Sequence, residues 1–196
     1  SDSISQILVE AGSVAVSSGS GTAELTVNQY GTLEAEGNLA DTGDFAIVDA
    51  PQEIDDDGAI AGVSQVTAMV DSDGADLTGL TDLATNATHI DLNGFDDVTL
   101  TVAQAELLVA DSGTYSVLDS AGAIEAEVTD ASAGSLDAAT SVAATDVDAI
   151  PDTLTLTVAE YNQLVDTGED ATTLETPYRI EDTAAAIQGA AAEQFT

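Results

Sequence analysis

Three short stretches of this chain are near copies of one another: Leu25-Thr26-Val27, Leu100-Thr101-Val102 and Leu156-Thr157-Val158. A second pattern recurs beside them. An aromatic residue is followed four positions on by aspartate and nine positions on by isoleucine, as Phe45, Asp49, Ile54; as Tyr115, Asp119, Ile124; and as Tyr178, Asp182, Ile187. Spacing is fixed inside each pattern and variable between patterns, which is the mark of a repeat array. In such an array each small unit buries its apolar face only by stacking on its neighbours, so a broad globular core is disfavoured.

Local chemistry gives each pattern a structure. Val98-Thr99-Leu100 and Leu154-Thr155-Leu156 alternate β-formers and predict strands. Thr26, Thr101 and Thr157 are each followed three residues later by Gln29, Gln104 and Glu160. That spacing predicts capping boxes, in which the threonine hydroxyl and the Gln or Glu side chain satisfy each other's helix-terminal amides. Leu25, Leu100 and Leu156 take the staple position ahead of the cap, facing Tyr30, Ala105 and Tyr161. The helices are expected to run through Leu107 and Leu108, or through Leu164 and Val165, and to end at Asp111-Ser112-Gly113 and Asp166-Thr167-Gly168. Tyr115–Leu118 and Tyr178–Ile180 predict further strands. Asp119 and Asp182 are then expected to cap helices that bury Ile124 and Ile187. Val14–Val16, Ile90–Leu92 and Val147–Ala149 read as a third strand type, and Val66–Val70 as an extra strand in the middle unit.

Strands alternating with capped helices predict an α/β fold, a short solenoid-like array of short parallel strands and short helices. The alternative is an antiparallel β-sandwich with small helical excursions. We expect a single repeat domain over 1–196, with units near 1–54, 55–124 and 125–196. Composition agrees with a thin core. Apolar residues make up 44 % of the chain, but aromatic residues only 4 %.

The charge narrows the function. One Arg and no Lys face 37 acidic residues, for a net charge of −36. Such a surface repels nucleic acid and anionic membranes. Without lysine there is no Schiff-base chemistry, and without cysteine no disulfide or thiolate nucleophile. Arg179, the amino terminus and His89 are the available cations, so most carboxylates must be neutralised from solution. That points to a cation-rich, extracellular setting. No segment has the apolar length of a membrane span. The start at Ser1 reads as a processed terminus or as an expression boundary.

Thr99-Leu100-Thr101-Val102-Ala103-Gln104-Ala105 and Leu154-Thr155-Leu156-Thr157-Val158-Ala159-Glu160 resemble the LTLTVAQA element of repeats in very large secreted bacterial proteins. Tyr178-Arg179-Ile180-Glu181-Asp182-Thr183-Ala184-Ala185-Ala186-Ile187 resembles the YxVxDTAAxI element of the same repeats. The resemblance covers about half of the chain. It implies a surface-associated, adhesin-like or S-layer-like protein, and it carries no catalytic residues with it. The calcium-binding nonapeptide that many such proteins hold elsewhere does not occur in this sequence.

Acidic turns are the candidate metal sites. Asp71, Asp73 and Asp76 alternate around Gly74, as oxygen ligands for a hard cation such as Ca2+ do; Ala75 and Asp76 depart from an EF-hand loop. Asp55 and Asp57 lie in a run of three aspartates before Gly58. Asp96 and Asp97 follow Asn93-Gly94. All three segments also read as plain solvated turns. Asp41-Thr42-Gly43 and Asp166-Thr167-Gly168 share a tripeptide with aspartic proteases, but Asp44 and Glu169 replace the Ser or Thr that follows and disturb proton sharing. His89 has no nucleophile elbow to serve. The Thr153, Thr155, Thr157 row reads as β-propensity plus capping. The expected function is therefore non-enzymatic: a self-assembling extracellular subunit of a bacterial surface layer, filament or matrix, with copies adding head to tail. The stretch 182–195 reads as the first helix of a coil whose following strands are missing, and the Ile4, Ile7, Leu8 stripe as a complementary start. The alternative is a calcium-stabilised adhesin module that binds glycan, ice or another surface.

Overall fold

The structure is a computed structural model that describes residues 23–35, 45–56, 60, 63, 65–109, 113–129, 134–146, 154–165, 173–174 and 177–190. Within these, the chain divides into two compact units, Ser1–Asp71 with Leu80–Asn93, and Ser72–Gly79 with Gly94–Thr196. The expected strands Val14–Val16 and Val147–Ala149 lie outside the described residues.

The first unit contains strands β1 (Ala23–Leu25), β2 (Phe45–Asp49), β3 (Gln65–Met69) and β4 (His89–Asp91). Helices α1 (Val27–Ala35), α2 (Pro51–Asp56) and α3 (Leu83–Asn86) fall between them. The four strands form one sheet in chain order, and every pairing is parallel. Register places Leu25, Ile47 and Val66 side by side, and Ala68 beside Ile90. All of these side chains are buried, so the inward row is continuous across the sheet. Leu33, Ile54 and Leu83 close over it from the helices.

The second unit contains β5 (Val98–Leu100), β6 (Tyr115–Asp119), β7 (Ser141–Ala144), β8 (Leu154–Leu156), β9 (Thr173–Leu174) and β10 (Tyr178–Ile180). Its helices are α4 (Val102–Ala105), α5 (Ala121–Thr129), α6 (Gly134–Asp137), α7 (Val158–Leu164) and α8 (Ala184–Ala190). One sheet has the order β5-β6-β7-β9, and a second pairs β10 with β8. All of these pairings are parallel too. Leu100, Val117 and Val142 stand in register and form the buried row. A single parallel bridge between Asp76 and Thr99 adds one more rung beside β5.

The fold is thus α/β with parallel sheets and several short helices. The antiparallel sandwich alternative is wrong, and the reason is connectivity. Two-residue hairpins can join antiparallel strands, whereas a strand that returns in the same direction needs a crossover. Here a helix fills that crossover between β1 and β2, between β2 and β3, and between β5 and β6.

The three predicted capping boxes are all present. The Thr26, Thr101 and Thr157 amides donate to Gln29 Oε1 (3.0 Å), Gln104 Oε1 (2.9 Å) and Glu160 Oε2 (2.6 Å). The return bonds, from the Gln29, Gln104 and Glu160 amides to the threonine hydroxyls, are 3.2–3.3 Å. The staple leucines Leu25, Leu100 and Leu156 are buried. Helix α4 is shorter than the sequence suggested. The Leu107 and Leu108 amides bond three residues back, to Gln104 and Ala105, so the last turn tightens and the α-helix stops at Ala105. Helix α7 does reach Leu164. The expected terminators Asp111-Ser112 and Asp166-Thr167-Gly168 lie outside the described residues.

Candidate functional site

The recurring aspartates do something the local sequence does not announce. Asp49, Asp119 and Asp182 each end or follow a strand, and each carboxylate bridges two backbone amides. One oxygen accepts from the next residue: Ala50 at 2.9 Å, Ser120 at 2.7 Å and Thr183 at 2.6 Å. The other oxygen accepts from the first residue of an earlier helix: Val27 in α1 at 3.0 Å, Val102 in α4 at 3.0 Å and Val158 in α7 at 3.2 Å. Asp146 adds a fourth case, with Oδ1 accepting from Ala121 of α5 at 2.8 Å. These first-turn amides have no partner inside their own helix. A carboxylate from the next strand–helix segment supplies one and meets the positive helix end. The following helices are capped one residue later than expected. Ser120 Oγ accepts from Ala123, and Thr183 Oγ1 from Ala186. Asp119 and Asp182 are therefore clamps between segments rather than conventional caps of their own helices. Pro51 opens α2 and has no amide to clamp.

Two buried carboxamides make further cross-segment ties. Gln104, only 1 % exposed, donates Nε2 to the Leu77 carbonyl at 2.9 Å while its Oε1 serves the capping box. Asn86 Nδ2 donates to the Ile54 carbonyl at 3.0 Å.

The predicted metal residues are bonded to the backbone one by one. Asp55 Oδ1 accepts from the Asp82 amide at 2.8 Å. Asp73 Oδ1 accepts from the Asp96 amide at 2.9 Å. Asp76 Oδ1 accepts from both the amide and the hydroxyl of Thr78. Asp96 Oδ1 does the same with Thr114. Asp71 and Asp97 are exposed in turns, and Asp57 lies outside the described residues. The turns need left-handed backbone at Gly74 (φ 67°) and Gly94 (φ 79°), where glycine carries no Cβ penalty. Among the described residues, no three His, Asp or Glu side chains converge as a metal-binding group.

His89 opens β4, and its Nδ1 lies 2.9 Å from the Thr88 hydroxyl. Of the threonine row, Thr153 lies outside the described residues, Thr157 is a cap, and the Thr155 amide donates to Glu125. A hydroxyl row does exist elsewhere. Thr99, Ser116 and Ser141 stand in register across β5, β6 and β7, and Ser141 Oγ donates to Ser116 Oγ at 2.9 Å. The tripeptide Asp41-Thr42-Gly43 and its copy at 166–168 lie outside the described residues. Arg179 pairs with Glu181 at 3.2 Å, with both side chains exposed. Missed altogether in the sequence was a tyrosine pair, Tyr161 on α7 against Tyr178 on β10, with ring centroids 5.2 Å apart. Among the described residues, no helix is long and apolar enough to cross a membrane. Comparison with known proteins finds no matching family profile, no matching curated protein and no matching solved structure.

Proposed function

We propose that this chain is a non-enzymatic, extracellular structural protein that assembles end to end into a bacterial surface layer, filament or matrix. Its parallel sheets are, on this proposal, short runs of solenoid coils, each strand–helix segment stacked on the last. One observation carries the reading. Ile54 on α2 and Ile124 on α5 are fully buried, but Ile187, at the same place in the third copy of the pattern, is half-exposed, and α8 has no buried residue at all. A coil in this array buries its helix by receiving the next segment. Helix α8 presents the face that such a segment covers, and a further copy of the chain is the proposed source, added head to tail. The high negative charge favours a medium rich in cations, calcium among them, in which copies can approach.

Sedimentation velocity of the full chain across a wide concentration range, in molar salt with calcium, tests this reading. Growth into a ladder of species is expected, with filaments or sheets by electron microscopy. Ile187→Glu should suppress growth while leaving the circular dichroism spectrum intact. Monodisperse monomers at every concentration would sink the assembly reading and favour the adhesin module instead.

A further inference from the structure

The tyrosine pair on α7 and β10 has a chemistry independent of assembly. Tyr161 and Tyr178 face each other with ring centroids 5.2 Å apart and planes inclined by 31°. The neighbouring Tyr178 side chain, with burial adding to it, raises the Tyr161 phenol above its ordinary pKa. Tyr178 is 39 % exposed and is the large apolar side chain most open to solvent among the described residues. The other two tyrosines, Tyr30 and Tyr115, are buried. The usual sinks for oxidising equivalents are scarce: the chain has no Cys, no Trp and a single Met, which is half-buried in β3.

We propose that Tyr161 and Tyr178 form a site for oxidative coupling to an intrachain dityrosine. The oxidant is hydrogen peroxide acting through a haem peroxidase. Each phenol gives up one electron and one proton, Tyr178 first because it meets solvent. The two ortho carbons then join, and on rearomatisation the two ortho hydrogens pass as protons to the phenolic oxygens and restore both hydroxyls. The peroxide takes up the two electrons and two protons and leaves as two waters. The product ties α7 to β10 covalently. It thereby locks the two-stranded β8–β10 sheet, the smallest in the unit, in a chain that cannot form a disulfide.

The test is treatment of the dilute full chain with peroxide and horseradish peroxidase, read by dityrosine fluorescence, intact mass and peptide mapping. A monomer lighter by two hydrogens, with one crosslinked peptide pair containing residues 161 and 178, is the expected result. Tyr161→Phe and Tyr178→Phe should each reduce the fluorescence to background, while Tyr30→Phe and Tyr115→Phe should leave it within about twofold. The coupled protein should also melt higher than treated Tyr178→Phe. Absence of dityrosine, coupling only between chains, or a signal that survives either Tyr161→Phe or Tyr178→Phe would overturn the proposal.

Discussion

Asp119 shows how much one side chain carries in this molecule. Its Oδ1 holds the Ser120 amide and its Oδ2 holds the Val102 amide at the start of α4. Truncation to alanine strips two part-buried amides of a charged acceptor at once. Each such bond contributes about 1.5–3 kcal/mol, and backbone donors left behind regain part of that from water. Asp119→Ala should therefore lower unfolding stability by about 2–3 kcal/mol in urea titration. Asp119→Asn keeps one acceptor oxygen and puts a donor where the second was, so one amide faces another N–H. It should cost at least half as much as alanine. A loss of under about 0.5 kcal/mol in both variants would show that water replaces the clamp without penalty. Gln104 makes the contrasting case. It is neutral and buried, and it satisfies the Thr101 amide and the Leu77 carbonyl together. It ties segments together through a carboxamide, where Asp119 uses charge.

At the scale of elements, the helices of four to nine residues are too short to persist alone, since isolated helices below about 12–15 residues are marginal in water. Caps and packing must hold them. Thr101→Ala removes a hydroxyl that accepts from Gln104 and frees the Gln104 side chain from its reciprocal role. A loss of about 1 kcal/mol is expected. Thr101→Ser should retain most of the stability, because it keeps the oxygen; equal losses in the two variants would mean the threonine methyl, not the cap, matters. The three capping boxes were legible in the sequence, because a capping box spans four consecutive residues and its chemistry is local, whereas the caps Ser120 and Thr183 were read one residue early. The strands Val98–Leu100, Leu154–Leu156 and Tyr178–Ile180 were legible for the same reason. The clamps were not. Asp49 reaches back to Val27, Asp119 to Val102 and Asp182 to Val158, and no rule confined to neighbouring residues finds a partner that far away. Recurrence marked these aspartates as important, but their acceptor role depends on parallel pairing of strands. The end of α4 was misjudged because apolar Leu107 and Leu108 fit a helical pattern that the backbone abandons for a tighter turn. The acidic turns show what spacing leaves out. Alternating carboxylates suit a cation, and Asp55, Asp73, Asp76 and Asp96 each also accept from a backbone amide, a use that sequence spacing does not reveal.

For the whole molecule, the −36 net charge sets the conditions under which the short elements can stay together. Among the described residues, Arg179–Glu181 is the only salt bridge, and it is exposed and worth little. Repulsion among carboxylates is spread over the surface, so added salt should weaken it as the screening length falls from about 10 Å at 0.1 M to about 3 Å at 1 M. The melting temperature should therefore rise steadily with NaCl, in contrast to a protein held by surface ion pairs. The choice of cation separates screening from binding. If carboxylates act only through their mean field, CaCl2 and NaCl at equal ionic strength should give nearly the same melting temperature. If some gather around calcium, millimolar CaCl2 should raise the melting temperature well beyond matched NaCl, and chelation should reverse the gain. Asp73→Asn and Asp96→Asn then locate the effect. These two carboxylates lie in turns joined by the Asp96 amide to Asp73 Oδ1 bond, and their loss should abolish a calcium-specific gain while leaving the NaCl slope nearly unchanged. A melting temperature that falls with added salt would contradict the electrostatic account, and with it the inference that a cation-rich medium outside the cell is what lets such a chain stack.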